Sequence, residues 1–185
     1  QELLEHGVIL SYRSEMQGRL IFISHQWLGY THPDPACEQL TAVKRVLMRL
    51  MQGQFLQVES HFYQVLLYKD NSVVTAAVWQ AALPYTLFCL DYAGIPGITI
   101  REANDAMKMQ ATLAALQAAV ESIPAYVELC ALMLVLAPVC THADNGGPCN
   151  YASWRMRGWC RMELAAGLLA RNNLRILVCK GAGIM

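Results

Sequence analysis

The sequence predicts an α/β domain, an open parallel sheet between two layers of helices, and three observations carry that prediction. Short apolar runs alternate along the chain with amphipathic helical patterns, the order expected of crossover units. The runs are continuous in character, as in strands buried on both faces of a parallel sheet. The composition is 55% hydrophobic and 15% charged, which calls for a large buried core and is the opposite of a disordered chain.

Taken in order, Val8–Ser11 suggests an edge strand that turns back through Gln17-Gly18, making residues 1–19 a lead-in. Leu20–Ile23 is the first central strand. Asp34-Pro35 then opens a helix with Leu40, Val43, Leu47 and Leu50 on one face. Residues 51–71 read either as an extension of that helix or as an insertion with a short helix of its own. Ser72 suits the cap of a helix carrying Val74, Val78 and Ala81, before a second strand at Tyr85–Leu90. Ala106, Met109, Leu113, Leu116 and Val120 alternate spacings of three and four, the clearest helical stripe in the chain. Leu132–Leu136 and Leu174–Val178 supply two further strands. Between them a last helix runs from Gly158 to about Ala170, ending at Arg171-Asn172-Asn173.

The 185 residues make one ordinary domain, 1–185. Fourteen basic and fourteen acidic residues cancel, so no global field draws the chain to nucleic acid or an anionic membrane. Seven cysteines, an odd number without a Cys-x-x-Cys pair, fit free thiols in a reducing, cytoplasmic setting. The longest apolar run, Leu129 to Val139, is too short to span a bilayer. No signal peptide is visible, and a chain opening on Gln1 reads as a segment of something longer.

Ligands of open parallel sheets bind beyond the carboxyl ends of the strands. Those ends are Ser24-His25-Gln26-Trp27, Asp91-Tyr92 and Ala137-Pro138. In Gly158-Trp159-Cys160-Arg161-Met162-Glu163, Trp159 and Glu163 are four apart and share a helical face. A carboxylate beside an indole suits a pocket wall; spacing alone equally fits a solvated surface glutamate. Ser24 and His25 are adjacent on an extended segment, so they point to opposite faces and make a poor catalytic pair. Cys140, His142, Cys149 and Cys160 offer zinc-type ligands at a spacing that matches no common zinc motif. Arg155, Arg157 and Arg161 form either a phosphate contact at a helix start or a solvated rim. Gly94 and Gly97 flank a flexible turn without either glycine-rich nucleotide pattern.

In order along the chain, these pieces resemble a divergent Toll/interleukin-1 receptor (TIR) domain. Phe22-Ile23-Ser24-His25 stands where the family has a Phe-Ile-Ser-Tyr-type strand end. Leu87 to Asp91, followed by Tyr92 to Gly97, is similar to the family's second strand and variable loop. Ser122-Ile123-Pro124 through Leu134 to Pro138 is similar to the helix and third strand, and Trp159 to Glu163 to the tryptophan–glutamate motif. Ser24-His25-Gln26-Trp27-Leu28 with His32-Pro33-Asp34-Pro35 resembles a TIR-like subgroup of microbial eukaryotes. The resemblance spans roughly residues 20 to 180 and implies a three-layer, flavodoxin-like open sheet. It also implies cleavage of the nicotinamide–ribose bond of NAD, with NAD as substrate and no cofactor. In that reading Glu163 is the catalytic residue, and Trp159, Ser24, His25, Gln26, Trp27, Asp91 and Tyr92 line the pocket. Many TIR domains instead act without catalysis, by self-association or by binding other TIR domains, which is the alternative. His25-Gln26-Trp27 departs from the aromatic and basic residues usual at that place.

Overall fold

The computed structural model describes residues 6–7, 9–54, 57–59, 66, 73–90 and 106–181. Four strands, β1 (Leu20–His25), β4 (Leu87–Leu90), β5 (Leu132–Leu136) and β8 (Arg175–Cys179), form one all-parallel sheet in the order β4-β1-β5-β8. That is an α/β, flavodoxin-like open sheet, and the chain reverses direction across it at β1. Helices α1 (Glu38–Met51) and α2 (Ala76–Ala82) cover one face. Helices α4 (Ile123–Leu129), α5 (Tyr151–Met156) and α6 (Gly158–Leu169) cover the other.

The period of two in an extended strand splits each continuous apolar run between these layers. Ile21, Ile23, Leu132, Leu134, Leu136, Leu177 and Cys179 pack on Val46, Leu50, Trp79 and Leu83. Phe22, Met133, Val135, Ala137, Ile176 and Val178 pack on Ile123, Val127, Trp154 and Cys160. Both sides of β5 are therefore used, and all five of its residues are buried. β4 departs from the expectation of burial on both faces, because it is the sheet's edge and Phe88 and Leu90 stay exposed.

Several elements differ from the sequence reading. Residues 9–13 carry no strand; a single 3-10 turn at Ser14–Met16 leads to β1, with Gly18 at φ +79. α1 begins at Glu38 rather than beside Pro35, because both oxygens of Asp34 accept amides of its first turn, from Glu38 and Leu40 at 2.8 Å each. Its buried face is Gln39, Val46 and Leu50, while Leu40 is exposed, a rotation imposed by burying Gln39 under the end of β1. α1 does not continue past Met51; Gly53 at φ +67 ends it, and β2 (Gln57–Glu59) pairs antiparallel with β3 (Val73–Thr75). Ser72 lies outside the described residues, and α2 buries Trp79 rather than Val78, which is exposed. In α3 (Ala106–Glu121) the predicted stripe is shallow: Met109 and Leu113 are exposed, and Leu116 and Val120 only half-buried. A small antiparallel ladder, β6 (Cys140–Thr141) with β7 (Pro148–Cys149), was not legible in the sequence. No described helix is long and apolar enough to cross a membrane.

Candidate active site

The site begins with the strand reversal at β1, which leaves the loops after β1 and β5 facing each other beyond the carboxyl ends of the strands. The two loops are tied together. The Ala143 amide donates to the Leu28 carbonyl at 2.7 Å, and the Tyr30 amide donates to Asp144 Oδ2 at 2.7 Å. Asn150 then starts α5 with a reciprocal cap: its Oδ1 accepts the amides of Ala152 and Ser153, and Ser153 Oγ accepts the Asn150 amide at 2.8 Å. Ser153 Oγ also lies 2.9 Å from Gln26 Oε1, which joins α5 to the end of β1.

β1 sends its last two side chains to opposite layers. Ser24 faces α6, where its hydroxyl donates to Glu163 Oε2 at 2.5 Å and accepts from Trp154 Nε1 at 3.1 Å. His25 faces α1, with Nδ1 2.8 Å from Gln39 Oε1. Gln39 Nε2 donates to the Gln26 carbonyl at 2.9 Å, so its oxygen is turned to His25 and the His25 Nδ1 carries the proton. Ser24 and His25 thus belong to two separate networks, as the alternation of an extended strand requires.

Glu163 is not a solvated surface residue. The buried side chains of α6 are Cys160, Glu163 and Gly167, a stripe of spacings three and four that faces the sheet. Glu163 is 3% exposed, and Ser24 is fully buried beside it. Trp159, one turn earlier, is 53% exposed, so the indole and the carboxylate that share a nominal helical face end in different surroundings. Trp27 is half-buried, and Asp91, Tyr92, Gly94 and Gly97 lie outside the described residues.

Sequence reasoning missed Trp154, the donor to Ser24, and Gln39, the partner of His25. The pair Asn150 and Ser153, three apart after Pro148, carried the available signal: it marks a helix start and places Trp154 one position past the box.

Two clefts stand out among the described residues, and neither borders Glu163. One, of about 440 Å³, lies past β5 and β8 on the α1 side, between Glu38, Arg45, Pro138, Cys140 and Lys180. The other, of about 290 Å³, lies at the opposite end of the strands, between Arg19, Trp79, Leu132 and Arg175. No family model matches the chain, and neither a curated protein nor a solved structure matches it.

Cys140, His142, Cys149 and Cys160 do not converge. Cys140 and Cys149 face each other across the β6–β7 ladder under Leu28, His142 sits beside Asp144, and Cys160 belongs to the α6 side, 3.7 Å from the His25 carbonyl. Among the described residues no three His, Cys, Asp or Glu side chains are placed to hold a metal ion. Of the three arginines, all exposed, Arg155 lies over the Tyr151 ring at 6.0 Å.

Burial pushes the Cys130 thiol from 9.0 up to about 12, with Cys89 adding to the effect. Cys140 rises likewise to about 12, first through burial and then through the Glu38 side chain. The folded state therefore keeps protons that the unfolded chain releases, so the contribution of these two thiols to stability is level below about pH 9 and falls as pH climbs from 9 towards 12. Urea midpoints measured from pH 8 to 11 should decline, and Cys130→Ala should flatten part of that decline.

Proposed function

We propose that this chain is a TIR-like domain that hydrolyses NAD at the nicotinamide–ribose bond, with Glu163 as the catalytic carboxylate. The observation that carries the reading is the Ser24–Glu163 hydrogen bond at the carboxyl end of β1, beside the strand reversal where open sheets of this type bind ligands. An exposed glutamate on a convex helix face would not support it.

In the proposed reaction the bond from ribose C1′ to the nicotinamide nitrogen breaks, and its electron pair leaves with nicotinamide. The ribose becomes oxocarbenium-like, and a carboxylate held beside it stabilises that cation or its hydroxyls. Water then adds at C1′ and releases a proton, giving ADP-ribose. Nicotinamide is a good leaving group as it stands, so the scheme needs no general acid and no cofactor. Ser24 fixes one carboxylate oxygen, and Trp159, Gln26 and Trp27 lie on the elements that would border the substrate.

The 3% exposure of Glu163 favours a second reading, a non-catalytic module that binds other TIR-like domains or itself. In that case the Ser24–Glu163 bond only pins α6 to the sheet. Nicotinamide release from NAD by the concentrated domain, beside Glu163→Ala, separates the two. Release by the parent alone supports the hydrolase. Release by neither supports the module, and equal release by both removes Glu163 from the chemistry.

A further inference from the structure

We propose that Trp154 is a positioning residue for Glu163, acting through Ser24; the inference rests on the hydrolase reading of that carboxylate. The chemistry of the three groups fixes the direction of the chain. An indole N–H can only donate, so at 3.1 Å it occupies a lone pair of the Ser24 hydroxyl. The hydroxyl proton is then directed to its other polar neighbour, Glu163 Oε2 at 2.5 Å. Trp154 and Ser24 are fully buried, which keeps water from substituting for the bond between them. Buried, linked hydrogen bonds of this kind polarise and orient one another.

The three side chains come from α5, β1 and α6, so the chain joins β1 to two consecutive helices 130 and 139 positions later in sequence. Its first member is itself held. The Trp154 ring stacks on Tyr151 with centroids 5.6 Å apart and planes 12° from parallel. The helix that carries both is started by the Asn150–Ser153 cap and joined to Gln26. The indole has one N–H, and it goes to Ser24. Its hydrogen-bonded path to the carboxylate therefore runs through the serine hydroxyl.

The test compares the parent domain with Trp154→Phe, Ser24→Ala and the double variant, measuring nicotinamide release across NAD concentrations. Phenylalanine keeps an aromatic ring in the core while removing the donor and part of the ring volume, and the Ser24→Ala and double variants separate those two effects. A kcat lowered about tenfold in Trp154→Phe, the effect of one buried hydrogen bond, with KM changed less than about twofold, is expected. The double variant should be no slower than Ser24→Ala alone, since both act on one path. A Trp154→Phe variant with the parental kcat, or a double variant slower by the product of the single effects, overturns the proposal.

An independent readout is the Trp154 indole proton resonance in ¹⁵N-labelled protein. It should move in Glu163→Ala, which leaves Trp154 intact, and an unmoved resonance overturns the relay even if Trp154→Phe fails to fold. Should the parent release no nicotinamide, the hydrolase reading fails by itself, and the indole resonance alone decides whether the relay exists.

Discussion

Glu163→Gln is expected to lower nicotinamide release at least about a hundredfold while moving the thermal midpoint by only a few degrees. Glutamine has nearly the volume of glutamate, and its carbonyl oxygen can accept the Ser24 hydroxyl as Oε2 does. What disappears is the negative charge that would stabilise an oxocarbenium-like ribose. The substitution therefore isolates chemistry from packing more cleanly than alanine, which leaves the buried Ser24 hydroxyl with one partner fewer. Paired measurements of release and of melting by circular dichroism check it. A glutamine variant that melts like the parent and turns over like the parent removes the carboxylate from the mechanism.

Trp154→Ala is expected to destabilise the domain by about 3–5 kcal/mol, the range for truncating a fully buried tryptophan. Among the described residues the indole is the largest fully buried side chain, and it belongs to the core cluster between the sheet and the helices α4, α5 and α6. Its loss opens a cavity in the cluster that also holds Phe22, Val135 and Cys160, and strands the Ser24 hydroxyl without its donor. For a domain of this size the thermal midpoint should drop by on the order of 10 °C. Urea unfolding, with the slope compared to the parent, gives the free energy directly. A loss below about 1 kcal/mol would mean that the core refills around the gap.

The sheet was legible because its strands announce themselves as continuous apolar runs, and β5 matches Leu132–Leu136 residue for residue. α6 was legible for a different reason: Gly158 opens it and a polar turn closes it. The helix faces were harder to read. Choosing the face of α1 from its leucines put Leu40 inside, whereas the polar Gln39 is buried because it serves both His25 and the Gln26 carbonyl. The same blindness affected the site. Glu163 was found through a motif, yet spacing could not show that it lies on the inner stripe of its helix. Trp154 left no signal of its own because its donor finds Ser24 across 130 positions of sequence. Long-range polar pairings of this kind leave no local periodicity to detect.

The division of labour between Ser24 and His25 makes β1 intolerant of a change in reading frame. Inserting or deleting one residue between Leu20 and Ile23 would exchange the two side chains between layers. A deletion would force an imidazole against Glu163 and Trp154, and an insertion would leave a hydroxyl too short to reach facing Gln39. The exposed turn at Gln17-Gly18, only three positions upstream of Leu20, carries no such constraint. Single-residue indels there should be absorbed, while the same length change four residues later should erase both networks at once.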